Sequence, residues 1–314
     1  METLVQIGVF PEEFQSLVDQ EFLCLTPQDL THKPHLLHSV RGLITQSNYT
    51  VPLALLESLP ALQVIATSGV GFDGIPVAWA QTRGIVVTHT PGVLDDAVCE
   101  LAIGLLLALL REIPAADRFV RQGRWSQGAY PLTSGLARKS VGIVGLGRIG
   151  RGIAARLQAF GVDLFYCGSV KADVPFRHFS GVIELAQACD ILILSCKGGS
   201  DTHHLVNAQV LQALGPEGYL VNVARGTVVD ESALLAALRT GGIRAAALDV
   251  FEDEPLQDSA LVSLPNALLS PHAGTATKET RAQMLRLTLD NLHAVLCGRP
   301  ALTPVPAAAR VSAA

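Results

Sequence analysis

The sequence predicts an α/β fold in which parallel sheets are flanked by helices. Two observations carry this: short β-branched or apolar runs alternate with helical patterns nearly from end to end, and the alternation falls into two series separated by an irregular stretch. A length of 314 residues also exceeds one ordinary domain of roughly 150 residues, so two are expected. In the first series the strand segments are residues 5–9, 42–45, 64–66 and 85–88. Helical patterns at 51–57 and 76–82 lie between them, and a long helix follows at 95–111. The second series starts at residue 140, with strand segments 141–144, 162–167, 191–196, 219–223, 245–250 and 268–271. The connection, 123–139, is rich in Gly, Ser and Pro. A last helix, 278–296, stops at Gly298 and Pro300, and an Ala-rich tail follows from Pro306, expected to be disordered.

Composition narrows the class. The chain is 49% apolar and 16% charged, so it can bury sizeable cores and is not disordered throughout. Its net charge is −5, without a basic block, which argues against nucleic-acid binding. The longest apolar run, 101–110, is bounded by Glu100 and Arg111 and is too short for a membrane span of about 20 residues. Acidic Glu2 and the absence of a basic region before a long apolar one give no secretory signal. The six cysteines are scattered without a CxxC pair, and no His cluster has zinc spacing. Reduced thiols in a cytoplasmic protein, with no metal, are expected. A mean hydropathy of +0.37 fits either a buried subunit interface or a large core.

Gly145-Leu-Gly-Arg-Ile-Gly150 is GxGxxG, a weak signal alone. Here it directly follows strand 141–144, opens a helix rich in small residues, and a second strand begins at Val162. That is the strand–turn–helix–strand unit of a Rossmann-type, doubly wound dinucleotide domain. Gly145 permits the tight turn, Gly147 lets the backbone approach a pyrophosphate, and Gly150 lets helix and strand pack closely. The helix amino terminus offers free N–H groups and positive dipole to the phosphates.

The second strand ends in Cys167-Gly168-Ser169, where NAD sites usually place an acid for the ribose 2′-hydroxyl. Missing negative charge, with Ser169 and Lys171 at hand, favours NADP(H), with NAD(H) still open.

Arg225, Asp249, Glu254 and His272 all lie at or just beyond the carboxyl ends of strands, the edge where open α/β sheets bind ligands. Each alone has an ordinary structural explanation. Together, beside a nicotinamide site, they suit hydride chemistry on a 2-oxo acid. Arg225 can hold a carboxylate and polarise a ketone. His272 can donate a proton, and a neighbouring carboxylate would stabilise its protonated form. His203 and His204 are adjacent and expected to point apart, which disfavours a metal site. Cys196 has no assigned base and reads as a wall.

Four ordered strings, residues 142–150, Val221-Asn-Val-Ala-Arg-Gly226, Leu248-Asp-Val-Phe-Glu-Asp-Glu-Pro255 and Ser270-Pro-His-Ala-Gly274, resemble the D-isomer-specific 2-hydroxyacid dehydrogenases. The branch that reduces glyoxylate, hydroxypyruvate and hydroxyphenylpyruvate is the most similar. Residues 67–73 and 90–98 also fit, so the resemblance covers most of the chain. It implies catalytic roles for Arg225, Glu254 and His272. It implies cofactor contacts from the turn (Gly145, Leu146, Gly147, Arg148, Ile149, Gly150), from Ser169, Lys171, Cys196 and Val223, and from Asp249, His272 and Gly274. Asp249 would meet the nicotinamide carboxamide. Val70 and Gly71 amides would bind the substrate carboxylate with Arg225 and His272.

The resemblance further implies a smaller flavodoxin-like substrate domain (1–98 and 284–314), a cofactor domain (99–283), and a homodimer. The implied reaction is NAD(P)H-dependent reduction of a small 2-oxo acid to the D-2-hydroxy acid. The alternative is a dinucleotide-sensing corepressor on the same fold. Three departures stand out. Ser169 replaces the arginine common in NADP-type members, Lys197 stands where the family has proline, and no added regulatory domain is expected, which weighs against the longer phosphoglycerate dehydrogenases. Glu254 argues against formate-oxidising relatives, which carry an amide there.

Overall fold

A computed structural model describes residues 1–168, 172–257 and 259–306. The chain forms two compact units, Met1–Leu94 with the segment from Thr277 onward, and Asp95–Ala276. The edges expected from sequence, 98/99 and 283/284, fall inside two helices; the units part just before each of those helices starts.

The first unit is a five-stranded parallel sheet of β1 (Glu2–Gln6), β2 (Phe22–Leu25), β3 (Val40–Gln46), β4 (Val64–Ser68) and β5 (Val86–Thr88). Its order, β2-β1-β3-β4-β5, is that of flavodoxin-like sheets. Successive side chains on a strand face opposite ways. Val5, Leu43 and Ile65 therefore join one core with Leu56 and Leu59. Leu4, Ile44 and Val64 join another, covered by the helix Lys278–Leu296 through Leu285, Leu289, Leu292 and Leu296. The carboxyl-terminal helix is thus part of this unit's core.

The second unit is a seven-stranded parallel sheet of β6 (Ser140–Val144), β7 (Asp163–Cys167), β8 (Arg177–Phe179), β9 (Ile191–Leu194), β10 (Tyr219–Asn222), β11 (Ala245–Leu248) and β12 (Ala267–Leu269). Its order is β12-β11-β10-β9-β6-β7-β8, the doubly wound arrangement with the direction of winding reversing between β6 and β9. The helix Asp95–Leu110 packs on the helix Arg148–Gln158. Gly152 makes room for it, because a Cβ there would lie 2.6 Å from Cys99 Sγ.

The differences from the sequence expectation are local. The first strand is Glu2–Gln6 rather than 5–9, because Gly8 turns the chain at φ 95° and leaves Val9 exposed. The short edge strands β2 and β8 are not expected from the pattern; β2 follows the helix Glu12–Glu21 with no turn residue between. The helix Ile113–Arg121 is likewise additional. Among the described residues no helix is long and apolar enough to cross a membrane.

Candidate active site

The glycine turn leaves β6 where the sheet's winding reverses. Gly145 sits at φ 89°, and a Cβ there would come within 2.5 Å of Cys196 Cα. At Gly150 a Cβ would be 2.1 Å from Gly145 O. Both are therefore held as glycine by backbone neighbours. Ser195 Oγ donates to Gly145 O at 2.8 Å and pins the turn, a role that nothing in the GxGxxG spacing announces. Gly147 differs: nothing lies within 4 Å of a Cβ built on it, and it caps the helix Arg148–Gln158 without any side-chain hydrogen bond. An open backbone face beside uncapped N–H groups fits a pyrophosphate.

The remaining residues of the turn have distinct surroundings. Leu146 is half-buried, Ile149 O accepts the Cys99 thiol, and the Arg148 guanidinium pairs with Asp95 at 3.0 Å. Arg148 can therefore serve a phosphate through its backbone N–H while its side chain stays engaged. Val223 is buried at the end of β10. Burial pushes the Cys196 thiol up to about 11, which keeps it neutral and suits a wall rather than a nucleophile. Ser169 and Lys171 lie outside the described residues. Lys197 is exposed, and its carbonyl accepts Thr202 Oγ1 at 2.8 Å.

Arg225 is placed by two features the sequence did not disclose. Asn222, buried at the end of β10, accepts the Ala224 N–H and donates to Arg225 O, each at 3.0 Å. A Cβ on Gly226 would lie 1.8 Å from the Phe251 carbonyl carbon, so the Arg225 turn and the 251–254 segment approach backbone to backbone. Arg225 also donates to Ala224 O at 2.7 Å.

Glu254 Oε2 lies 2.6 Å from His272 Nδ1, and Glu254 Oε1 accepts the Phe251 N–H at 3.1 Å. Burial alone would raise the Glu254 carboxyl. The hydrogen bond and charge of His272, the Phe251 N–H and the Arg225 charge outweigh it, so the carboxyl sits below its ordinary value and is ionised at neutrality. An ionised Glu254 accepts from Nδ1 and leaves Nε2 as the imidazole atom facing outward. His272 itself adopts φ 51°, a left-handed conformation uncommon for a side-chain-bearing residue.

Asp249 explains how that conformation is held. It is 2% exposed. Its carboxylate accepts from Ser270 Oγ at 2.5 Å, Ala273 N–H at 2.7 Å and Gly274 N–H at 2.9 Å. Burial leaves its carboxyl above the ordinary value although these donors and the His272 charge oppose the shift. Polar residues ending an apolar strand, Asn222 and Asp249, are the sequence signal for both supports.

The second unit therefore brings together the turn at 145–150, Cys196, Arg225, Asp249, Glu254, His272 and Gly274. Val70 and Gly71 belong to the first unit, just past β4. Their N–H groups meet no protein acceptor among the described residues, while His89 Nδ1 binds Val70 O at 2.9 Å. His203 and His204 do not point apart: with His204 at φ 50° the rings stack at 3.9 Å, and His204 pairs with Glu252 at 2.7 Å. Among the described residues no group of three or more His, Cys, Asp or Glu side chains could hold a metal.

A doubly wound sheet with an open glycine turn and an acid–imidazole pair at its carboxyl edge defines a nicotinamide-dinucleotide-dependent oxidoreductase. Residues 103–274 match the family model described as D-isomer specific 2-hydroxyacid dehydrogenase, NAD binding domain. The chain is 44% identical over 269 residues to glyoxylate/hydroxypyruvate reductase A of Arabidopsis thaliana, covering 85% of this chain and 86% of that one. It is 42% identical to the hydroxyphenylpyruvate reductase of Plectranthus scutellarioides, with 85% and 86% covered. The NADPH-dependent glyoxylate/hydroxypyruvate reductase of Sinorhizobium meliloti, solved with NADP and malonate, superposes with a TM-score of 0.91 at 41% identity, over 97% of this chain and 96% of that one. The chain belongs to the D-isomer-specific 2-hydroxyacid dehydrogenase family and is an enzyme of that type.

Proposed function

We propose that this enzyme reduces a small 2-oxo acid of the glyoxylate or hydroxypyruvate kind to the D-2-hydroxy acid, with NADP(H) preferred and NAD(H) accepted. The observation that carries the reading is the 2.6 Å Glu254–His272 contact on the same sheet edge as the open glycine turn.

When bound, the reduced nicotinamide supplies a hydride for carbon 2 of the substrate. Arg225 holds the substrate carboxylate and draws electron density from the ketone oxygen. His272 delivers the Nε2 proton to that oxygen as it becomes an alkoxide, and Glu254 keeps the Nδ1 proton in place and the ring oriented. Val70 and Gly71 offer their N–H groups to the carboxylate. Asp249 has one lone-pair site beyond the three its donors fill, which suits the carboxamide N–H of the cofactor. Val223, Cys196 and Gly274 would line the nicotinamide side. Ser169 and Lys171 would serve the adenosine ribose end, as the resemblance implies, and the absence of an acid at 167–169 supports the preference for a 2′-phosphate.

A homodimer in the cytoplasm completes the proposal. Ile113, Val120 and Trp125 are more than half exposed and Leu132 is 98% exposed, apolar side chains along one stretch of chain that a partner subunit would cover. Free cysteines suit a reducing compartment.

The decisive experiment is a crossed kinetic screen of NADPH and NADH against glyoxylate, hydroxypyruvate, pyruvate and phenylpyruvate, with chiral analysis of product. D-configured product and a higher kcat/KM with NADPH are expected. No turnover of any of the four would overturn the assignment, and a higher kcat/KM with NADH would reverse the cofactor preference. Light scattering on the purified protein reads the oligomeric state.

A further inference from the structure

The leucine stripe of the helix Lys278–Leu296 is interrupted at one end. Leu296, Leu292, Leu289 and Leu285 are buried against β1, β3 and β4. The next position on that stripe, four residues before Leu285, is Arg281. A guanidinium thus stands where the packing pattern calls for another apolar side chain.

Its level on the sheet follows from the ends of the helix. Arg41, the second residue of β3, donates to Leu296 O at 3.3 Å and to Gln63 Oε1 at 3.0 Å, so the helix ends beside the starts of the strands and runs antiparallel to them. From Leu296 back to Arg281 the helix rises about 22 Å at 1.5 Å per residue. That length equals about seven strand residues. Counted from Gln63, it passes the end of β4 at Ser68, which puts Arg281 at the level of the carboxyl edge where Val70 follows with its N–H open.

Arg281 is electrostatically misplaced for a structural residue. It is half-buried, burial alone pushes its guanidinium below the ordinary value, and no acid offsets that. Among the described residues it has neither an ion pair nor a side-chain hydrogen bond, whereas Arg286 on the same helix lies near Asp290. It also sits in the first turns of the helix, where the dipole disfavours a cation. Ser68 and Thr67, buried at the end of β4, keep hydroxyls with no partner. This edge therefore carries more positive and hydrogen-bonding capacity than the fold consumes, and a substrate carboxylate held by the Val70 and Gly71 amides leaves the guanidinium to spare.

We propose that Arg281 is a specificity-determining residue that recognises an oxygen-bearing group, hydroxyl or carboxylate, on carbon 3 of the 2-oxo acid. This rests on the reading of Val70 and Gly71 as the substrate edge. It makes hydroxypyruvate-like substrates better than their apolar counterparts, and glyoxylate, which has no carbon 3, indifferent to the side chain.

The test compares the wild type with Arg281→Leu, which continues the stripe, and Arg281→Lys, which keeps the charge. kcat and KM are measured with NADPH for glyoxylate, hydroxypyruvate and phenylpyruvate, alongside thermal midpoint and NADPH affinity as controls of the fold. For Arg281→Leu, KM for hydroxypyruvate should rise about tenfold or more, as expected when a polar substrate group loses its partner. Glyoxylate kinetics should be unchanged, phenylpyruvate equal or improved, and the lysine variant should recover part of the loss. A parallel loss on all three substrates, or no change on any, overturns the inference while leaving the activity standing. A wild type inactive on all three refutes the activity itself, and the inference with it.

Discussion

Asp249 brackets His272. Its backbone carbonyl takes the His272 N–H at 2.8 Å, and its carboxylate takes the N–H groups of the next two residues, Ala273 and Gly274. A buried acid thereby fixes the backbone on both sides of an imidazole held at positive φ.

Replacing Asp249 by Ala strands two backbone donors and the Ser270 hydroxyl in a buried place. Unsatisfied groups of this kind cost about 1–3 kcal/mol each. Thermal unfolding should shift to clearly lower temperature, and kcat should fall as the His272 turn loosens. A variant with wild-type melting and turnover would show that the carboxylate does not hold the turn.

His272→Ala removes the proposed proton donor. A positioned acid contributes about 10²–10⁴-fold, so kcat should drop by that order. Turnover retained within a few fold would remove His272 from the mechanism.

Glu254 makes folding pH-dependent. Its carboxyl is held below the ordinary value in the folded protein, so the stabilisation is fully present above the unfolded pKa. It is lost as pH falls through the lower folded one. The window opens below about pH 4.3, the usual glutamate value. Urea midpoints of wild type and Glu254→Gln should differ at neutral pH and converge as acid is added. A gap that widens towards acid contradicts the sign.

Gly147 and Gly226 should respond oppositely to alanine. Nothing crowds a Cβ at Gly147, so Gly147→Ala should melt like the wild type without cofactor yet bind NADPH more weakly. At Gly226 the added carbon meets immovable Phe251 backbone, where overpacking costs about 1–3 kcal/mol or more. Gly226→Ala should lose stability and, by separating Arg225 from Glu254, activity. Calorimetry and cofactor titration of both variants decide the point.

Much of this site is legible in the order of residues along the chain. Gly145, Gly147 and Gly150 announce themselves because a strand, a turn and a helix must meet there in that order. Arg225, Asp249, Glu254 and His272 can be placed on one edge because parallel strands put all their carboxyl ends together. Ser195 and Ser270 cannot be singled out, since a hydrogen bond to an atom 21 to 50 residues away leaves no spacing in the sequence. Arg281 is hidden as well, because a cation on an otherwise amphipathic helix reads as an exposed residue until the stripe it interrupts is seen packed.

The alternation of strand and helix, the dinucleotide turn and the family resemblance are properties of the sequence alone. They depend on local periodicity and on residue types that neighbours along the chain impose. Which atoms meet is a matter of tertiary structure: Gly226 against Phe251, Asp249 around His272, Glu254 on Nδ1 rather than Nε2. Those contacts are set by how strand ends converge in space, where a fraction of an ångström separates a hydrogen bond from none.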